Sequence, residues 1–361
     1  MSELTKLSAS RIKTAQQCSW TYWCNYKLKL PQAGNDGASR GTICHNVFEL
    51  LGDKHKREFN KILKEGTIWN TEVVAAQVKK EAVELKVNDQ ENLELIDEMI
   101  VAGLRCDFFG DEEEKPIKAE SERFFDLEID KPDKRIRYAI RGYIDKLFIY
   151  KDNSVIIRDF KSSKSVFKGK DITDNLQNLI YSLAVKHLMP DTKPQSEFLF
   201  LRFDLEKDIL GERGKGYVQM EKISEEELEG FEYQLTEFQK YIDNFDEDCA
   251  KSNLAATQDF PKDGTFGGPL ACGKDGFKVS YGQPILDKNG EPIKAFICPY
   301  RKPMEYFAIK DKDGKVLKTA FIEDKDSLKP NIEDGEELIK MNYSGCPHWE
   351  DKNKLDDFLD G

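Results

Sequence analysis

The stretch at 140–161, IRGYIDKLFIYKDNSVIIRDFK, constrains the fold of this chain more than any other. Apolar-rich runs flank Lys151-Asp152-Asn153-Ser154, which predicts a β-hairpin. Ile140, Ile144 and Leu147 on one run and Val155, Ile156 and Ile157 on the other predict a place in a central sheet. Strand side chains alternate, so Asp159 and Lys161 share a face. Asp145 stands opposite Asp159 only if the loop has an odd number of residues. Lys151-Asp152-Asn153, with Asn153 left-handed, supplies such a loop.

A chain of 361 residues can form one large domain or two ordinary ones. Charged residues make up 34% and the net charge is −12, which argues against a cationic coat over nucleic acid but permits local basic strips. The N-terminus MSELTKLSASRIKTAQQC has no apolar signal core, and no run has the length of a membrane span, so a cytoplasmic protein is expected. In that compartment the eight cysteines would be buried thiols or metal ligands, not disulfides. With four histidines, a dedicated histidine-based zinc enzyme is not indicated.

Periodicity predicts a helix from Ser8 or Ser10 to Lys27, a turn-rich PQAGNDGASRG, and helices over 42–64 and 72–109. A strand over 117–129 precedes the hairpin. A helix over 174–189, strands over 198–203 and 216–220, and a charged helix over 224–250 follow. From about residue 256 the texture changes, and Asp287-Lys288-Asn289-Gly290 and Asp311-Lys312-Asp313-Gly314 each read as a hairpin turn. The expected division is therefore a core over 1–255 and a cysteine-bearing extension over 256–361 that packs back on it.

Two facing carboxylates repel, and a divalent cation between them removes that cost. Mg²⁺ takes few carboxylates and keeps positions for water and phosphate oxygens. Lys161 would then lie near an attacking water, which is the equipment for phosphodiester hydrolysis. A solvated hairpin with charges on its open face is the alternative, because Asp-x-Lys is common in any charged chain. Gln177 and Tyr181 fall on one helical face, and His45 near a helix start, with Glu49 one turn on, is a candidate ligand or phosphate contact.

The ordered set Leu7-Ser8-Ala9-Ser10-Arg11…Cys18, Gly41-x-x-x-His45, Gly142-Tyr143-Ile144-Asp145, Asp159-Phe160-Lys161 and Gln177-x-x-x-Tyr181 resembles the RecB-type branch of the PD-(D/E)XK nucleases. The resemblance spans about residues 7–190. It implies an α/β restriction-endonuclease-like fold with a mixed central sheet flanked by helices. It implies His45, Asp145 and Asp159 as ligands of Mg²⁺ or Mn²⁺, Lys161 as the catalytic lysine, and Gln177 and Tyr181 completing the site. It also implies a glutamate on the preceding strand, for which Glu122 fits best and Glu120 is the rival. Ser162-Ser163 replaces the Thr-Gly that often follows the lysine.

Some members of this branch, AddB-type nucleases and CRISPR-adaptation exonucleases among them, carry a [4Fe–4S] cluster on one early and three late cysteines. By that resemblance Cys18, Cys272, Cys298 and Cys346 are the candidates, although the last three are spaced more widely here than in the family. A Zn²⁺ site on the same residues and four unrelated thiols are the alternatives.

The expected partner is DNA, at ends or single strands. Lys54, Lys56, Arg57, Lys61, Lys64, Lys164, Lys168 and Lys170 are candidate backbone contacts. Trp20, Tyr22, Trp23 and Tyr26 are either base-stacking or packing residues. No Gly-x-x-x-x-Gly-Lys-Ser/Thr is present, so no helicase motor is fused in this sequence, and a helicase or recombination partner would be separate. The reading that follows is a metal-dependent DNA exonuclease suited to repair, recombination or phage DNA processing. A catalytically silent DNA-binding scaffold subunit is the competing class.

Overall fold

The apolar runs between 118 and 161 form the first three strands of a sheet. The structure, a computed structural model, describes residues 3–53, 55–110, 114–169, 175–252, 272, 277–280, 283–287, 290–295, 297–329 and 332–347. It divides into one unit of residues 1–9 and 34–243 and another of residues 10–33 and 244–361. The helices in chain order begin with α1 (Ala9–Gln17), α2 (Ser19–Tyr22), α3 (Asp36–Asp53), α4 (Lys56–Glu65), α5 (Glu72–Glu84) and α6 (Gln90–Arg105). Then come β1 (Lys118–Lys131), β2 (Ile136–Ile149), β3 (Ser154–Lys161), α7 (Leu176–Leu188), β4 (Lys193–Phe200), β5 (Tyr217–Gln219), α8 (Glu225–Asp243) and α9 (Glu247–Ser252).

The sheet of the first unit runs β1-β2-β3-β4-β5. Only β3 and β4 pair in parallel, joined through α7, so the sheet is mixed and the fold is α/β. The hairpin has the expected register. Ile149 pairs with Val155 and Lys146 with Arg158, which sets Asp145 opposite Asp159. The loop is Lys151–Asn153, with Asn153 at φ +64° and Tyr150 N–H donating to the Ser154 carbonyl at 3.0 Å. Asp152 Oδ1 accepts from Ser154 N at 2.9 Å, a side-chain turn that fixes the reversal.

Phe160 points into a core built from α3, α5 and α6. Its ring centroid lies 4.3 Å from that of Phe48, and Phe108 packs on both. Its neighbours Asp159 and Lys161 alternate to the face where α7 supplies Gln177. Burying a side chain of this size contributes about 2–3 kcal/mol, enough to fix which way β3 faces.

Several helices differ from expectation for local reasons. The first breaks at Cys18, whose φ of −161° and ψ of 115° are extended. The helix expected over 42–64 is two. α3 begins early because Asn35 caps it, its side-chain oxygen accepting from Ala38 N at 2.9 Å, and Gly37 and Gly41, read as part of a turn, lie inside the helix. The helix over 72–109 divides at Lys86, φ +59°, and restarts under an Asp89 cap on Asn92 N. The strand expected over 198–203 begins at Lys193, because parallel pairing with β3 starts at Ser154. The helix over 224–250 divides where Asp246 Oδ1 accepts from Cys249 N at 2.8 Å.

In the second unit, β6 (Val279–Ser280) pairs β7 (Gln283–Pro284), and β8 (Met304–Lys310) lies between β9 (Val316–Phe321) and β10 (Glu337–Tyr343). The turn at 311–314 closes a hairpin, with Gly314 at φ +79°; at the other, Asp287 N–H donates to the Glu291 carbonyl at 2.8 Å and Gly290 has φ +81°, while Lys288 and Asn289 lie outside the described residues. Trp20 and Tyr22 are buried there, the indole donating to Tyr343 Oη at 2.6 Å, so these two pack and do not offer faces to bases. Among the described residues, no helix is long and apolar enough to cross a membrane.

Candidate active site

The ladder between β2 and β3 ends at Lys146↔Arg158, and the strands part at the two aspartates. Site side chains take over the backbone groups this exposes. Phe160 N–H donates to Asp145 Oδ2 at 2.7 Å, and His45 Nε2 lies 3.1 Å from the Phe160 carbonyl. A carbonyl only accepts, so Nε2 carries the proton of that bond. Nδ1 is thereby turned to the carboxylates, 3.2 Å from Asp145 Oδ1 and 4.0 Å from Glu122 Oε1. Two glycines allow this approach. A Cβ on Gly41 would come within 2.7 Å of Ser162 Oγ, so the bare helix face lets α3 press against the end of β3 one turn before His45. A Cβ on Gly142 would strike the Phe125 ring, which itself sets its edge on Tyr181.

Glu122 stands opposite Asp145 where the β1–β2 ladder skips a pair between Ser121↔Lys146 and Arg123↔Ile144. Its φ is +46°, a left-handed conformation costing a non-glycine residue about 1 kcal/mol. Glu120, the rival, is engaged by Lys118 and by Arg123 at 3.3 Å. Among the described residues, His45, Glu122 and Asp145 form the one tight group of histidine, cysteine and carboxylate donors, with ligand atoms within 4.8 Å of one another.

Asp159 is buried beside this group. Its Oδ2 accepts from Gln177 Nε2 at 2.6 Å. Its Oδ1 accepts no well-angled hydrogen bond among the described residues, although Lys161 Nζ lies 2.5 Å away as an ion pair. Lys161 Nζ also donates to Gln177 Oε1 at 2.7 Å, and Gln177 Nε2 donates to Tyr181 Oη at 2.8 Å. One amide thus grips the carboxylate, the ammonium and the phenol. It is set there by Asn175, which caps α7 by accepting from Gln177 N and Asn178 N. Neither Asn175 nor Arg40, the residue before Gly41, stands out in the sequence, though an asparagine ahead of an apolar periodic run is a helix-start signal.

The charges are crowded. Burial pushes Glu122 up to about 7, with Asp145 adding and His45 opposing. Burial likewise raises Asp159 to about 6, helped by Asp145 and opposed by Lys161. Burial disfavours the His45 imidazolium, yet Asp145 outweighs it, and with Asp159 and Glu122 holds it up at about 9. Like-charged groups kept together at this cost are the signature of a cation site. A divalent cation fits the residues present: a mixed nitrogen and oxygen donor set, with the buried Asp159 carboxylate beside it.

The PD-(D/E)XK nuclease superfamily model matches residues 6–273, well over half of the chain. The chain belongs to the PD-(D/E)XK nuclease superfamily. A search of curated proteins found no match. For a PD-(D/E)XK nuclease the geometry is coherent, since the His45, Glu122 and Asp145 group could hold a metal.

The other expected residues fall in several places. Cys18, Cys272, Cys298 and Cys346 all belong to the second unit. Burial pushes the Cys272 thiol up to about 12, and the neighbouring Cys18, Cys298 and Cys346 add to it, so the four lie within electrostatic reach. Cys298 N–H donates to the Cys272 carbonyl at 2.9 Å. Of the basic residues expected to follow His45 on its helix, Lys56, Arg57, Lys61 and Lys64 lie instead on α4, where Lys61 Nζ donates to the Asn70 carbonyl. Lys54 and Lys170 lie outside the described residues.

Proposed function

We propose that the protein is a divalent-metal-dependent deoxyribonuclease that acts as an exonuclease in DNA repair, recombination or phage DNA processing. The observation that carries this reading is the register placing Asp145 opposite Asp159, with Lys161 tied to Asp159 and Gln177. His45, Asp145, Asp159 and Glu122 would hold Mg²⁺ or Mn²⁺, which supplies Lewis-acid polarisation of the phosphate and a more acidic bound water. His45 contributes a ring fixed in one tautomer by the Phe160 carbonyl, a bond that keeps Nδ1 turned to the carboxylates. Lys161 brings a positive charge to the reacting phosphate and orients the attacking water. Its anchors on Gln177 and Asp159 hold it in place before substrate arrives. Tyr181 locks the Gln177 amide.

Cys18, Cys272, Cys298 and Cys346 would hold a [4Fe–4S] cluster or Zn²⁺, a reading supported by their mutual electrostatic reach in one unit. Visible absorbance against a zinc assay decides between the two.

Digestion of end-labelled linear DNA and of circular DNA with Mg²⁺ or Mn²⁺ tests the function. The expected result is metal-dependent release of short products from linear ends, with circles spared. Wild-type protein that binds DNA and cuts neither form would instead mark a scaffold subunit.

A further inference from the structure

A cavity of about 790 Å³ opens beside Lys161 in the first unit, and the site described above gives no role to most of its lining. Arg40, Lys161, Ser162, Ser163, Lys164 and Arg202 line it. Its position follows from the sheet. Lys161 pairs with Phe200, and Leu201 N–H donates to the Lys161 carbonyl at 2.9 Å, so Arg202 leaves β4 directly alongside the lysine. Arg40 reaches the same space from the first turns of α3, whose N-terminal end carries partial positive charge.

The charge accounting is unequal. The acids on the wall are Asp36, Asp89 and Glu91. Asp36 and Asp89 both accept from the Asn92 side chain, and Glu91 is exposed. Arg40 is only 5% exposed, yet among the described residues its one side-chain hydrogen bond is from Nη1 to Asn92 Oδ1, and its buried Nε has no partner there. Arg202 makes no side-chain hydrogen bond or ion pair among the described residues, and its Nη1 is buried without a partner. A guanidinium left this way forfeits bonds that a phosphate supplies bidentately. The serine hydroxyls beside the lysine are already committed, Ser162 Oγ donating to the Gly37 carbonyl at 3.1 Å and Ser163 Oγ to the Ser165 carbonyl at 2.5 Å, so the phosphate contact falls to the two guanidinium groups.

We propose that this cavity holds the phosphate of the nucleotide adjoining the scissile bond, so that Arg40 and Arg202 set how far a strand advances past Lys161. The proposal rests on the nuclease reading and specifies the substrate contact next to its centre. The cavity has the capacity for a nucleotide-sized ligand.

Binding of a fluorescein-labelled single-stranded oligonucleotide, followed by anisotropy with Ca²⁺ in place of Mg²⁺, tests this without cleavage. Arg202→Gln is expected to weaken binding about tenfold and to lower the slope of log affinity against log salt by about one. Arg202→Lys should restore most of the slope, and unchanged melting temperatures would show that both variants are folded. Oligonucleotides with a 5′-phosphate, a 3′-phosphate or neither separate the sources of the phosphate. A preference for one phosphorylated end, lost in Arg202→Gln, marks a terminal phosphate. Equal affinity for all three, weakened equally in the variant, marks an internal one. Wild-type affinity and slope in Arg202→Gln would overturn the proposal, as would a wild type that binds no DNA. A wild type that binds by this pattern but cuts nothing would defeat the nuclease reading alone.

Discussion

The hairpin site and the proposed four-cysteine site place opposite demands on the chain. Asp145, Asp159 and Lys161 lie on one hairpin, where a single loop length and a run of paired residues fix which side chains face each other. Cys18, Cys272, Cys298 and Cys346 span nearly the whole sequence, and the site proposed for them would depend on the first helix breaking at Cys18 and on several turns of the second unit. Local register makes a site rigid before any ligand binds. A site gathered from distant segments relies on its ligand to hold those segments together.

The largest expected effect follows from that contrast. Asp145→Ala removes a central carboxylate and the acceptor for Phe160 N–H, and should lower metal-dependent cleavage by about a thousandfold while leaving a folded protein. Single-turnover assays with circular dichroism check both parts, and unfolding of the variant would break the claim that the hairpin is fixed without the metal. Cys298→Ser should do the reverse, lowering the urea midpoint while cleavage per folded molecule stays near wild type. A folded but inactive Cys298→Ser would show that the two regions are not separable.

Gln177→Ala sharpens the hairpin half. With its hold on Lys161 and Asp159 gone, kcat should fall about ten- to a hundredfold with KM little changed. A rise in KM alone would make Gln177 a binding group and not a positioning one.

Acid should act on the scaffold of the first unit through Glu232. Burial would raise this carboxyl, but hydrogen bonds from His187, Lys131 and Tyr138 outweigh it and hold it down at about 2. A depressed carboxyl stabilises the fold above its ordinary value and loses that contribution as pH falls toward its folded value. The stability gap between wild type and Glu232→Gln should therefore be full at pH 7 and shrink between about pH 4.5 and 2. A gap independent of pH would show that the pairing carries no net stability.

The smallest effect concerns Glu122. At φ +46°, Glu122→Gly should be more stable than Glu122→Ala by about 1 kcal/mol, read from denaturant midpoints, although both remove the carboxylate. Equal midpoints would mean that the left-handed turn is not strained.

These residues also mark how far the sequence could be read. The hairpin was legible because strand periodicity and loop length together fix facing pairs, and Asn153 is a residue type that tolerates the left-handed turn. The choice between Glu122 and Glu120 was harder, because the skipped pair and the left-handed glutamate leave no trace in composition. The α3 start was hidden by glycines that read as a turn. One is needed for helix-to-strand contact at Ser162. Arg40 and Arg202 meaning anything together depends on the β3–β4 register, which no local pattern encodes.

The most direct test of the central claim is cleavage of end-labelled linear DNA by wild type and Lys161→Ala at matched Mn²⁺ and matched folded fraction. The account predicts metal-dependent cutting by wild type and a loss of about a hundred- to a thousandfold in Lys161→Ala, with DNA binding retained. Equal cutting by the two proteins would contradict it.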